Sequence, residues 1–305
     1  MAVTVAEYLG KRTDNDNDIV PVPNLEQKPD IACPFRCGNC LKAKKRQQPI
    51  CSVRDSNGKL WIVCEHRLCA TTPKAAAINE HQKKILRIVA QAIYGTVSDT
   101  DILFKREVPI PITDTSDYKA DYVMWRTNPA ASDRPAIVEM QGGGETAGTE
   151  KLTDHVKKWS QKMPPTNAYL RQEAKATPLI TNAWRRQQEQ FLVKGSVATL
   201  TGAKMVFCVG SSLYEYLIQR LTTVRLQDLS QANWSLALLP FVEDTDGTPP
   251  PCAPDSIQFE IDLSRARYTN YFSFIQALTN QGSPQPQVFT GEYNKLDGEK
   301  VQISS

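Results

Sequence analysis

Six cysteines stand within thirty-seven residues, at Cys33, Cys37, Cys40, Cys51, Cys64 and Cys69, and only Cys208 and Cys252 lie elsewhere in the chain of 305. A thiol cluster this dense folds either around disulfides or around a metal ion. Disulfide frameworks belong to small secreted scaffolds, and the N-terminus, Met-Ala-Val-Thr-Val-Ala-Glu, has neither the charged lead nor the apolar stretch of a secretion signal. Thiolate ligation is the expectation, with reduced, unliganded cysteines as its alternative. A tetrahedral Cys₄ set suits Zn²⁺ or a single iron. Cys33, Cys40, Cys51 and Cys64 are separated by 6, 10 and 12 residues, which is not a paired knuckle, whereas Cys37 and Cys40 form a C-x-x-C. A ligand set that starts at Cys37 therefore stays open. Cys208 sits in an apolar run and reads as a core residue; Cys252 has no assignment.

The net charge of +3 conceals an uneven distribution. Residues 31–70 hold eight basic side chains (Arg36, Lys42, Lys44, Lys45, Arg46, Arg54, Lys59, Arg67) against two acids, Asp55 and Glu65. Residues 1–30 carry an excess of acids. A basic island beside a metal-held fold fits contact with a phosphate backbone, which supplies position and non-specific affinity; a solvated surface run is the plain alternative. With 41% apolar and 23% charged residues and no apolar run of membrane-spanning length, the chain reads as a soluble, cytoplasmic globular protein.

Three segments follow from composition: residues 1–30 as a polar, Pro-interrupted arm, 31–72 as the Cys-rich module, and 73–305 as the main domain. Thr72-Pro73 resembles a helix start and Gly95 a stop, bracketing a helix over 74–94. Strands are predicted over 103–110, 120–125 and 135–141, with 120–141 a hairpin around a long polar loop. A helical stripe runs from Trp184 through Phe191 to Thr199, and residues 204–209 read as a buried strand. Ser212 and Glu215 resemble a capping box for a helix over 213–221. Strands over 234–242 and 256–262 precede a polar tail. The order helix, strand, strand, strand, helix, strand implies a mixed α/β fold, its central sheet flanked by helices.

Within that order, Asp121 lies on one strand and Glu139-Met140-Gln141 on the next. Strand side chains alternate faces, so Glu139 and Gln141 point one way and Met140 the other. Two converging carboxylates suit a hard divalent cation such as Mg²⁺, and the natural reaction is phosphodiester hydrolysis. A pair of solvated strand acids is the ordinary alternative. Against it, Glu139 follows the apolar Ala136-Ile137-Val138 and precedes Gly142-Gly143-Gly144, where a core strand emerges into a flexible loop.

The sequences Cys-Pro-Phe at Cys33, Cys-Leu-Lys-Ala at Cys40, Cys-Ser-Val at Cys51 and Ile-Val-Cys-Glu-His-Arg at Cys64 resemble the NotI-type, Cys-rich type II restriction endonucleases of the PD-(D/E)XK nuclease superfamily. Ala-Asp-Tyr-Val at Asp121 and Ile-Val-Glu-Met-Gln at Glu139 are similar to that family's strand Asp and its Glu-x-Gln, in which Gln replaces the superfamily's usual Lys. The resemblance spans about residues 31–262 and implies a restriction-endonuclease-like core. It implies Cys33, Cys40, Cys51 and Cys64 as ligands of a structural metal, iron in the family, in a module that grips DNA. Asp121 and Glu139 would hold catalytic Mg²⁺, Gln141 would orient water or coordinate metal without acting as a base, and Glu107 would add an acidic ligand. The implied activity is Mg²⁺-dependent cleavage of double-stranded DNA at a GC-rich palindrome. A homodimer and a cognate DNA methyltransferase in the same cell are the implied partners. Cys37 and Cys69 are extra to the pattern, and the glycines after Gln141 replace the family's usual residues, which points to a different recognition sequence. Two other readings are a non-catalytic, metal-stabilised DNA-binding protein on a nuclease fold, and a repair or RNA-directed nuclease of the same superfamily.

Overall fold

The structure, a computed structural model, describes residues 2–304 except 16–17, 23–29, 37, 44–47, 70, 72–75, 114–115, 144–145, 148, 179, 222–228, 230–232 and 281–285. Cys37, Thr72-Pro73, most of the basic run after Lys42, and Gly144, Glu145 and Gly148 fall outside the described residues.

The N-terminal segment corrects the reading of residues 1–30 as an arm. β1 (Val3–Tyr8) and β2 (Lys11–Arg12) form a hairpin, and β1 also pairs antiparallel with β3 (Ile50–Asp55), which pairs with β4 (Leu60–Ile62). Val3, Val5 and Tyr8 are buried with Ile50, Val53 and Trp61. The polarity of residues 13–30 masks a strand whose apolar side chains meet a partner some 45 residues away. The Cys segment therefore shares one four-stranded sheet with the chain's first residues.

A short helix α1 (His66–Cys69) leads to α2 (Glu80–Tyr94). The helix begins at residue 80 rather than 74, because Asn79 accepts from the Gln82 N–H while the Gln82 side chain accepts from the Asn79 N–H, a complete capping box. The central sheet follows: β5 (Ile102–Thr113), β6 (Ser116–Arg126) and β7 (Ala136–Gln141) run antiparallel. β5 runs through Pro109 and Pro111 instead of stopping there. It is the edge strand, where a missing N–H costs no ladder bond.

After β8 (Thr146–Ala147), α3 (Thr149–Ser160), α4 (Asn167–Leu170) and β9 (Thr177–Pro178) comes the long helix α5 (Ile180–Leu200). β10 (Lys204–Gly210) then enters the sheet parallel to β7, so helix, three strands and a parallel fourth strand follow in order, with β8, α3, α4 and β9 as well as the expected helix α5 between the third and fourth strands. α6 (Ser211–Leu221) contains Ser212 instead of being capped by it. The hydroxyl donates to the Leu60 carbonyl and Glu215 pairs with Lys59, so both residues tie α6 to the small sheet. β11 (Leu236–Glu243) lies parallel to β10 and carries β12 (Phe259–Ile261) and β13 (Arg267–Thr269) on its far edge. α7 (Tyr271–Thr279) follows, and the tail holds a hairpin of β14 (Gly291–Asn294) and β15 (Lys300–Ile303) where only polar chain is predicted. Among the described residues the central sheet has seven strands.

Alternation along the buried strands sorts their side chains into two layers. Ile137, Met205, Phe207, Val209, Leu236 and Leu238 pack with Trp184, Phe191, Leu217 and Phe274 of the later helices. Val138, Met140, Val206, Cys208, Leu239 and Phe241 pack with Leu68, Ile85, Leu86 and Val89 of α1 and α2. The result is a mixed sheet flanked by helices. Glu139 and Gln141, one position out of phase with Met140, belong by the strand period to the α5 side. No described helix is long and apolar enough to cross a membrane.

Candidate functional site

The β6–β7 ladder ends at Tyr122–Val138. Just beyond it the carboxylates take over the backbone donors: the Asp121 N–H donates to Glu139 Oε1 at 3.3 Å and the Met140 N–H to Asp121 Oδ2 at 2.8 Å. On the other side of β6 the register passes from Arg106–Tyr122 to Val108–Ala120, leaving Glu107 opposite Asp121. Glu107 has φ of +45°, a left-handed conformation that costs a side-chain-bearing residue on the order of 1 kcal/mol or more. Its carboxylate accepts from Thr71 Oγ1 at 2.9 Å and lies near enough to raise the Asp121 pKa. The β6–β7 ladder is thus opened at Asp121, and Glu107 stands opposite it on β5, although among the described residues Glu107, Asp121 and Glu139 do not form a three-ligand metal group.

Glu139 is 2% exposed. Burial, and secondly the neighbouring Asp121 carboxylate, push its pKa up to about 8, although Lys194 pulls it down. Asp121 is raised for the same chief reason, burial, against the Met140 N–H and Lys194, which lower it. Gln141, also buried, places Nε2 3.4 Å from Glu139 Oε2. All three strand residues read from the sequence are therefore together.

Lys194 of α5 was not singled out by sequence. Its ammonium group lies 2.7 Å from Glu139 Oε2 and also donates to the Lys119 carbonyl, with the side chain almost wholly buried. The available signal was phase. Residues 184, 191, 194 and 198 share one helical stripe with Trp184, Phe191 and Ala198, and a lysine on an apolar stripe is costly unless paired.

The Cys segment approaches the same sheet end. Gly142 and Gly143 are buried beneath β4 instead of forming an open loop. A Cβ on Gly143 would fall 2.3 Å from Trp61 Cε2, and one on Gly142 would lie 3.3 Å from Ile62 Cγ2, so the glycines admit the small sheet over the end of β7. Glu65, which follows Cys64, raises the Asp121 pKa. Glu65 is exposed, and although partial desolvation acts to raise it, Lys42, 3.2 Å away, and its other neighbours hold it below its ordinary value.

Cys33, Cys40, Cys51 and Cys64 are electrostatic neighbours: Cys40 acts on Cys33 and Cys51, Cys33 on Cys64, and Cys64 on Cys51. A tight hairpin closes the first pair, with the Cys33 N–H donating to the Gly38 carbonyl and the Cys40 N–H to the Ile31 carbonyl. Burial raises the thiols of Cys33, Cys51 and Cys64, the last to about 12, while backbone N–H groups of Phe35 and Arg36 point at the Cys33 sulfur and that of His66 at the Cys64 sulfur. Among the described residues no three His, Cys, Asp or Glu side chains stand in metal-holding geometry. Cys69 stands apart from these four, its sulfur 3.5 Å from the Tyr122 hydroxyl in the layer under the site. Cys208 is fully buried, as expected of a core residue, and Cys252 is exposed.

Arg67 locks this segment to the sheets. Its guanidinium donates to both oxygens of Glu7, which also accepts from Ser52 Oγ and the Ile257 N–H, and it packs 4.4 Å and 4.5 Å from the ring centroids of Phe35 and Phe259.

Comparison with known proteins finds no matching family model and no similar curated protein.

Proposed function

We propose that this protein is a Mg²⁺-dependent endonuclease of double-stranded DNA, of the type II restriction kind. The observation that carries the reading is the pairing of Asp121 and Glu139 at the open end of the β6–β7 ladder, with Gln141 beside them. Two carboxyl groups side by side, Glu139 buried and Asp121 half-buried, are poor ions without added positive charge, and an all-oxygen donor pair suits a hard divalent cation. Asp121 and Glu139 would hold Mg²⁺, and Glu107 stands at the register position to support them. Bound there, the cation would acidify water and neutralise charge on the phosphate. The Gln141 amide orients water and accepts no proton. Hydrolysis adds the water oxygen to phosphorus and breaks one P–O ester bond; the water's proton goes to solvent and the leaving oxygen gains one, giving a phosphomonoester and an alcohol.

With β8, α3, α4 and β9 set aside as an insertion, the order α2, β5, β6, β7, α5, β10 is the one that the resemblance to the PD-(D/E)XK nucleases implies, and it supports the same reading. The resemblance implies a thiolate-bound iron or zinc on Cys33, Cys40, Cys51 and Cys64 that would hold the Cys segment against the sheet, although among the described residues these thiols do not stand in metal-holding geometry. That segment would carry Lys42 and its basic neighbours to the DNA backbone. A homodimer on a GC-rich palindrome, working in the cytoplasm beside a cognate methyltransferase, completes the proposal.

Sequencing the fragment ends after incubation of long duplex DNA with the protein and Mg²⁺ tests it. Ends sharing one palindrome are expected. Duplex binding without cleavage instead supports a non-catalytic DNA-binding protein, and scattered ends contradict site specificity.

A further inference from the structure

The proposed active strand carries an amide, Gln141, where a nuclease site of this kind gains from a cation. The surroundings of Glu139 contain one. Lys194 reaches it from α5, on the side of the sheet to which Glu139 and Gln141 belong, and places its ammonium group 2.7 Å from Glu139 Oε2; the Gln141 amide nitrogen lies 3.4 Å from the same oxygen. The lysine is fixed from both ends: its Nζ also donates to the Lys119 carbonyl, two residues before Asp121, and its backbone sits in the middle of a 21-residue helix packed on β7 and β10. A side chain 4% exposed that spends its charge on a candidate metal ligand is not arranged for solubility. Nor is a buried ion pair an economical device for stability, since an apolar pair of similar volume often serves as well.

We propose that Lys194, supplied by helix α5, provides the cationic group that Gln141 does not, standing beside Glu139 where it donates to the attacking water and offsets the negative charge that builds on the phosphate during hydrolysis. This rests on the nuclease reading above. Strand β7 and helix α5 would then divide a task that a strand lysine performs alone: Gln141 contributes neutral hydrogen bonds and Lys194 the charge. The helix delivers the group along a fixed path because Trp184, Phe191 and Ala198 on the same stripe are anchored in the core.

The test compares wild type, Lys194→Met, Lys194→Arg and the double variant Lys194→Met/Gln141→Lys, each checked for thermal unfolding and for binding a short duplex in EDTA. Cleavage of long duplex DNA in Mg²⁺ is then followed for kcat and KM separately. Lys194→Met is expected to keep duplex affinity and KM within about twofold and to lose kcat by about 100-fold or more, in the range of a positioned proton donor. Lys194→Arg keeps part of the rate, and adding Gln141→Lys restores at least tenfold of what Lys194→Met loses. Full kcat in Lys194→Met overturns the inference and leaves the nuclease reading intact. So does a folded, DNA-binding Lys194→Met whose lost rate is recovered neither by Lys194→Arg in its place nor by Gln141→Lys added to it, because that pattern marks a structural lysine; should Lys194→Met fail to fold, a Lys194→Arg variant with wild-type fold and no rate overturns it equally. No cleavage by wild type overturns the nuclease reading, and this inference with it.

Discussion

Asp121 and Glu139 each accept the backbone N–H that the other's strand would have offered to the ladder, Asp121 Oδ2 from Met140 and Glu139 Oε1 from Asp121 itself. The sheet is thereby opened where the two carboxylates lie side by side. Each carboxylate also satisfies a donor that would otherwise be orphaned.

Burial of Glu139, and secondly the Asp121 carboxylate beside it, makes the stability of the metal-free protein pH-dependent. Glu139 is raised from 4.5 to about 8, so the folded state keeps a proton that the unfolded chain loses. Its contribution is full below about pH 4.5 and declines as pH rises toward about 8. Thermal unfolding in EDTA should show wild type losing ground to Glu139→Gln across that window, and Mg²⁺ at pH 8 should restore wild type but not the variant. A pH-independent difference between the two, with no response to Mg²⁺, contradicts it.

His81 acts in the opposite direction. Burial, chiefly, lowers its pKa from 6.5 to about 4; since a carbonyl only accepts, Nε2 carries the proton donated to Leu68 at 2.7 Å. A buried neutral histidine supplies stability that is full above about pH 6.5 and is lost as pH falls through about 4, by about 3 kcal/mol at most. His81→Gln should flatten that acid limb in denaturant titrations between pH 7 and 4.

Glu7 and Arg67 are both almost wholly buried, and Glu7 satisfies donors from β3, α1 and the segment before β12. Removing either partner leaves an uncompensated buried charge, so Arg67→Ala or Glu7→Ala should each cost about 3–5 kcal/mol in urea unfolding. A loss under 1 kcal/mol would show that the network is peripheral.

Gly143→Ala probes how closely the small sheet covers the end of β7. The new methyl meets the Trp61 indole at its Cε2 and Cζ2 atoms, and strain of about 1–3 kcal/mol is expected, with a change in Trp61 fluorescence. An unchanged emission spectrum and stability would contradict the packing.

The strands of the site were legible because their signals are local: Ala136-Ile137-Val138 is an apolar run, and the alternation of Glu139, Met140 and Gln141 follows from the strand period alone. Lys194 was harder to see. Its partner lies 55 residues earlier, and only its phase on the apolar stripe of α5 hinted at burial. β1 was missed for a similar reason, since Val3 and Val5 acquire their meaning from pairing with residues 50–55 and the intervening polar stretch dominates the composition. The glycines after Gln141 read as freedom of the loop, whereas at 142 and 143 they are space for Trp61 and Ile62, a property of a surface brought from elsewhere in the chain.

The most direct measurement is cleavage of long duplex DNA by purified wild type, Asp121→Ala and Glu139→Gln, each folded, in Mg²⁺ and in EDTA. Wild type should cut in Mg²⁺ alone, and each variant should lose about 100-fold or more of the rate. Cutting by Asp121→Ala at the wild-type rate, or cutting by wild type in EDTA, would contradict the assignment of Asp121 and Glu139 as the ligands of the catalytic cation.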